Sequence, residues 1–136
     1  MSRCLVTGHK GYIGSRLFSR LNELGHEVRG IDLQEKEDIL DGLEHLEDFA
    51  PEYVFHLACI PRVAFSIEEP VHTAINNIIS TSIVLNFAKK VNAKRVIYSG
   101  SSSVVGNGDG PTNPYALQKL TSELETKLYK RERTLL

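Results

Sequence analysis

Strand-like and helix-like runs alternate along this chain. Arg3 to Thr7 is a short apolar run that meets a glycine, and Ile13, Leu17, Leu21 and Leu24 then recur at the spacing of one helix face, with Gly25 closing the helix. Glu27 to Ile31 reads as a second strand ending at Asp32. From Gln34 to Asp41 the chain is polar apart from Ile39 and Leu40, which leaves space for only a stub of a third strand before a short helix near Leu43 to Phe49. Pro51 breaks that helix, Tyr53 to Leu57 is a strand of the fully buried kind, and Pro70 opens a long helix carrying Ile75, Ile78, Ile79, Ile83 and Phe87. Arg95 to Tyr98 is the next strand. A loop rich in glycine and serine, Ser99 to Gly110, then leads to Asn113-Pro114, an N-cap followed by proline in the first turn of the last helix. Leu117, Leu120, Leu124 and Leu128 give that helix an apolar face, while Lys127, Lys130, Arg131 and Arg133 gather near its end, where cations suit the helix dipole.

This alternation predicts an α/β fold: a Rossmann-like, doubly wound parallel sheet of about five strands, the third reduced, with helices on both faces. The length of 136 residues and the 41% apolar content support one globular domain over residues 1–136 that buries a proper core. A net charge of -1 exerts no general pull on nucleic acid or an anionic membrane, so an anion site must be local. The longest apolar runs, such as Tyr53 to Ile60, are too short to span a bilayer, and the start of the chain lacks a signal-peptide layout. A soluble, cytoplasmic protein is expected. Cys4 and Cys59 show neither C-x-x-C nor metal-ligand spacing; both sit in strand-like stretches and read as reduced packing residues, with no metal.

Thr7-Gly8-His9-Lys10-Gly11-Tyr12-Ile13-Gly14 follows the first strand and opens the first helix, with the spacing T-G-x-x-G-x-x-G. Glycines at such a turn let the backbone approach a pyrophosphate, and the free N–H groups of the first helical turn meet its charge. The bland alternative is an ordinary tight turn. Asp32 strengthens the dinucleotide reading, because a carboxylate at the end of the second strand accepts hydrogen bonds from the adenosine ribose hydroxyls. It would repel a phosphate on that ribose, which favours NAD over NADP, although Lys10 offers such a phosphate a counter-charge. No G-x-x-x-x-G-K-[ST] run is present, which argues against a nucleotide triphosphatase.

Tyr115 and Lys119 stand four residues apart, one turn up the same helix face. A phenol ionises near pH ~10, so its use as a base at neutral pH needs nearby positive charge, which Lys119 is expected to supply. Tyr115 would then take a proton from a substrate hydroxyl while hydride leaves the same carbon for a nicotinamide, with Ser101 hydrogen-bonded to the reacting oxygen. Taken alone, such a pair is more often just two solvated side chains.

With these motifs in this order, the chain resembles the extended short-chain dehydrogenase/reductase family, especially its sugar-nucleotide epimerases and dehydratases. The resemblance runs almost from end to end. It implies that Asp38-Ile39 contacts the adenine, that His56-Leu57-Ala58-Cys59 is the family's H-x-A-[AG] strand end beside the cofactor, and that Asn77 is the asparagine of N-V-x-G-T. Ser99-Gly100-Ser101-Ser102-Ser103-Val104-Val105-Gly106 matches the S-S-S-x-x-V-Y-G loop, which puts Ser99 at the cofactor and makes Ser101 the catalytic serine. Asn113-Pro114-Tyr115 matches the entry to the catalytic helix, so Tyr115 and Lys119 serve both catalysis and cofactor binding. By resemblance the cofactor is tightly held NAD and the substrate a nucleoside-diphosphate sugar, oxidised transiently to a keto intermediate.

The departures are specific. Ser80 replaces the glycine of N-V-x-G-T, Cys59 takes a small-residue position, Val105 replaces a tyrosine, and the segments after Asp32 and Gly106 are short. Family members are much longer, so the resemblance implies that no substrate domain, and little of the sugar-nucleotide pocket, lies within this chain. An unpaired edge on the strand Arg95 to Tyr98 would invite pairing, and the long helix from Pro70 and the last helix are those through which the family dimerises; a homodimer is expected. Three readings follow: an epimerase or dehydratase completed by further chain or a partner, a catalytically incomplete NAD-binding or assembly module, and an interaction domain whose glycine loop is only a turn.

Overall fold

The computed structural model describes residues 1–134, with side chains through residue 129. The basic side chains expected at Lys130, Arg131 and Arg133 lie outside the described residues. Four strands, β1 (Arg3–Thr7), β2 (Glu27–Ile31), β3 (Tyr53–His56) and β4 (Arg95–Tyr98), form one parallel sheet in the order β2-β1-β3-β4. The central strand β1 is buried from Cys4 to Thr7, as a continuous apolar run must be when both faces of a parallel sheet are covered. Helix α1 (Tyr12–Glu23) packs on β1 and β2. Its Leu17, Phe18 and Leu21 meet Cys4, Val6, Val28 and Phe55, so the middle of the expected stripe packs with Phe18 added, while Ile13 and Leu24 at its ends are exposed.

The remaining helices are α2 (Val63–Glu68), α3 (Pro70–Ala74), α4 (Ser80–Lys90) and α5 (Pro114–Thr134). The fold is α/β, of Rossmann type, with a parallel sheet on which α1 packs. Contacts divide the chain into two compact units: Met1–Ala58 with Ile83–Ser99, which holds the whole sheet, and Cys59–Ser82 with the chain from Gly100 onward.

Four expectations need correction. The stub of a third strand does not form, so the sheet has four strands rather than five among the described residues. The segment folds instead as 3-10 turns, Leu33–Glu35 and Ile39–Asp41. The cause is local: the Asp32 carboxylate accepts the N–H of Gln34, and the Asp38 carboxylate that of Leu40, both at 2.9 Å, and these bonds compete with a strand ladder. The helix expected near Leu43 to Phe49 shrinks to one 3-10 turn, Glu44–Leu46, yet Leu43, Leu46 and Phe49 are all buried, so their spacing reported burial correctly and helix length poorly.

Cys59 is not in a strand, since β3 ends at His56. The long helix from Pro70 is interrupted by a π turn, Ile75–Ile79. The hydroxyls of Ser80, Thr81 and Ser82 donate to the carbonyls of Asn76, Asn77 and Ile78, supplying bonds where the wider turn loosens the backbone ladder. α2 has no counterpart among the sequence expectations. No helix among the described residues is long and apolar enough to cross a membrane.

Candidate dinucleotide site and catalytic helix

In the sheet-bearing unit, the register aligns Thr7 with Ile31 and His56, and His56 with Tyr98. Gly8, Asp32, Leu57 and Ser99 each follow immediately after one of these aligned residues. The parallel topology therefore brings four separated candidates to one carboxyl edge, the position where open α/β sheets bind ligands.

At that edge the glycine loop is shaped for close backbone approach. Gly8 has φ +73°, a conformation that favours glycine, and a Cβ there would press on the Ala58 backbone. A Cβ on Gly14 would overlap the Gly8 carbonyl oxygen, so the turn closes only without a side chain. Gly11 is the extended N-cap of α1 and offers no capping side chain, and the first turn carries no acid. Gly11, Tyr12 and Ile13 are exposed, so the positive end of a twelve-residue helix is reachable from solvent. These features suit a diphosphate.

Around the loop, Asp32 accepts the backbone N–H of Lys10 at 2.9 Å through one oxygen and that of Gln34 through the other. Each oxygen keeps a lone pair for a hydroxyl donor. Ile39 is buried and Asp38 caps the turn that carries it. The Ser99 hydroxyl donates to the His56 carbonyl at 3.3 Å. Thr7, part of the motif but not among the expected contacts, organises the β3 end: its hydroxyl accepts the N–H groups of Leu57 and Ala58, both at 3.1 Å, and is hydrogen-bonded to His56 Nδ1 at 2.8 Å.

The other unit holds Cys59, Asn77, Ser101, Tyr115 and Lys119. Asn113 caps α5 by accepting the Ala116 N–H at 2.9 Å, as its sequence position predicts, and the Tyr115 N–H donates to Ser66 Oγ at 3.0 Å. Tyr115 is half-buried, and Lys119, one turn further on, is only 3% exposed. Burial pushes the Lys119 ammonium below its ordinary pKa, and a hydrogen bond with Cys59 pulls the other way. Cys59 is therefore more than a packing residue.

Tyr115 departs from expectation. Burial raises its phenol above the ordinary value, the Cys59 thiol adds to the rise, and the hydrogen bond with Ser101 opposes it. The Lys119 ammonium is hydrogen-bonded to Cys59. Ser101 also pairs with Ser103 Oγ at 2.7 Å and caps the 3-10 turn Ser102–Val105.

Asn77 is almost fully buried, and its amide is used within the protein. It accepts from the Ile60 N–H at 2.7 Å and donates to the Ile60 carbonyl at 3.2 Å and to Gln118 Oε1 at 2.8 Å. Gln118 in turn donates to Thr73 Oγ1 at 2.9 Å, and Ser122 donates to the Asn77 carbonyl at 2.9 Å. Asn77 thus clamps the segment carrying Cys59 to α5. Gln118, unmarked in the sequence, left one trace: a polar residue between Tyr115 and Lys119, set one position off the apolar stripe.

The chain is 31% identical to a UDP-glucose 4-epimerase of Mycolicibacterium smegmatis over 94% of its own length and 51% of that protein. Among solved structures it superposes on the UDP-glucose 4-epimerase of Thermotoga maritima with UDP-glucose at TM-score 0.84 and 28% identity, covering 96% of this chain and 52% of that one. It also superposes on the UDP-glucose 4-epimerase of Brucella ovis in complex with NAD at TM-score 0.87 and 28% identity, covering 95% and 48%. The chain spans about half the length of the curated relatives it matches. Since the model of the NAD dependent epimerase/dehydratase family matches residues 4–135, nearly the whole sequence, the chain belongs to that family.

Proposed function

We propose that this chain is the dinucleotide-binding and catalytic-helix portion of a cytoplasmic, NAD-dependent epimerase or dehydratase acting on a nucleoside-diphosphate sugar. The observation that carries this reading is a buried Lys119 one helical turn beyond Tyr115, whose phenol is hydrogen-bonded to Ser101. A lysine is rarely hidden from water without a task. Gly8, Gly11 and Gly14 would hold the diphosphate by backbone N–H groups, and Asp32 the adenosine ribose. Bound NAD supplies the hydride acceptor.

Tyr115 Oη accepts the proton of the sugar hydroxyl and later returns it, Ser101 holds the sugar oxygen, and the Lys119 ammonium favours the phenolate. For that, the phenol's pKa must fall when NAD and the sugar bind, since burial raises it in the free chain. This raised phenol favours a second reading, a module that holds NAD without turnover. We also propose a homodimer: Val71, Ile75 and Ile79 line an apolar groove with Pro70, Ala74 and Ile78, and a second copy would cover it.

Calorimetric titration of the chain with NAD and NADP, followed by turnover assays with UDP-, GDP- and dTDP-sugars, tests the reading. Saturable NAD binding is expected, and its absence would sink the proposal. Tyr115→Phe is expected to retain NAD binding and to lower any turnover by about 10²- to 10⁴-fold. NAD binding without turnover on any of these sugars would select the module.

A further inference from the structure

Beside the glycine loop, a second acidic side chain engages the loop residues. Glu35 ends the 3-10 turn that follows β2, and both of its carboxylate oxygens are occupied by side chains of the loop. Lys10 Nζ lies 2.6 Å from Glu35 Oε1, and His9 Nε2 lies 3.0 Å from Glu35 Oε2. Because a carboxylate only accepts, His9 Nε2 is the donor of that contact. The His9 ring is held from its other sides as well. It is 6% exposed, lies 5.1 Å from the Phe18 ring, and occupies the space that a Cβ on Gly30 of β2 would fill.

The His9 ring is therefore fixed, and it fixes one oxygen of Glu35, leaving the other aimed at the one flexible cation of the loop. The Lys10 backbone is anchored independently, by its N–H to Asp32. The arrangement brings two carboxylates, Asp32 and Glu35, and a single ammonium to the end of the second strand, where folds of this type distinguish a ribose hydroxyl from a ribose phosphate. Lys10 also holds the Glu35 carboxyl below its ordinary pKa, so Glu35 stays ionised at neutral pH.

We infer that Glu35 sets the choice of dinucleotide: it occupies the Lys10 ammonium that would otherwise receive a 2′-phosphate, and it adds its own negative charge beside Asp32. This rests on the dinucleotide reading above and assigns the discrimination to a residue outside the glycine motif and the strand-end aspartate. Removing the Glu35 charge leaves Lys10 free to pair with a phosphate, and a charge-assisted hydrogen bond of that kind is among the stronger ones available.

The test is calorimetric titration of the intact chain with NAD and NADP, in the wild type, in Glu35→Gln and Glu35→Ser, and in Glu35→Gln combined with Lys10→Met. The wild type should prefer NAD. Either Glu35 variant should shift the ratio of NADP to NAD affinity toward NADP by about tenfold or more, and Lys10→Met should remove that shift. An unchanged ratio in both Glu35 variants, or a shift that survives the loss of Lys10, overturns the inference while leaving the dinucleotide site intact. Loss of NAD binding in both Glu35 variants also overturns it, since the carboxylate would then be holding the loop rather than choosing the ligand. A wild type that binds neither dinucleotide defeats the reading on which the inference rests, and the inference with it.

Discussion

The two units of the chain differ in the balance of side chains they bury. In the sheet-bearing unit the interior is mostly hydrocarbon: Leu5, Val6, Ile31, Val54 and Val84 are hidden from solvent, and Thr7, His9 and His56 are its buried polar side chains among the described residues. In the unit that carries Tyr115, the buried side chains include Ser66, Thr73, Asn77, Gln118, Lys119 and Ser122, while Val71, Ile75, Ile79, Leu117, Leu124 and Leu128 are exposed. The first unit is held by area-dependent, non-directional burial, which tolerates little change of volume but fixes strands as a body. The second is held by directional hydrogen bonds, each of which fixes one side chain at one distance. A scaffold that aligns backbone edges suits the first kind of interior, and a segment that must orient a phenol, an ammonium and a thiol suits the second.

This contrast can be broken by mutation. Leu5→Ala, in the middle of the sheet, should cost about 2–5 kcal/mol by urea unfolding, because β1 is covered on both faces and the cavity has no route to collapse. A cost below ~1 kcal/mol would mean that the sheet does not depend on tight packing, and the contrast would fail.

Asn77→Ala should cost less, about 1–3 kcal/mol, since it strands the amide of Gln118 and the backbone of Ile60. Faster hydrogen exchange at the Ile60 amide, with the amides of β1 unaffected, would locate the loss in the clamp. Equal acceleration in both places would instead show one shared interior.

The smallest effect on stability is expected on the exposed apolar face. Ile75→Ser with Ile79→Ser should change the unfolding free energy of dilute protein by no more than about 0.5 kcal/mol per site, as surface substitutions do. The same pair should weaken self-association in sedimentation. A dilute protein strongly destabilised by these changes would show that the face is already part of an interior.

Much of the candidate dinucleotide site was legible because its determinants are local. The spacing of Gly8, Gly11 and Gly14, the position of Asp32 one residue beyond β2, and the cap at Asn113 all act within a few residues of themselves, and each appears in the structure as expected. The third strand was misjudged because two short-range bonds, from Gln34 to Asp32 and from Leu40 to Asp38, outweigh the weak strand signal of Ile39 and Leu40. The partnerships of Glu35 with His9 and Lys10, and of Cys59 with Lys119, were not legible, since no spacing rule joins residues that far apart in the chain.

From the order of residues alone came the alternation of strand and helix, the glycine-loop geometry at the end of β1, and the placing of Tyr115 and Lys119 on one helix face, all of them consequences of backbone sterics and helical periodicity. Tertiary structure decided which charge each ionisable group meets: Lys119 turns to Cys59 while burial raises the Tyr115 phenol, and Lys10 turns to Glu35. The reason is that periodicity acts through bonds within one element, whereas electrostatics acts through space, and the neighbours that set a proton or a counter-charge are chosen only when distant segments pack.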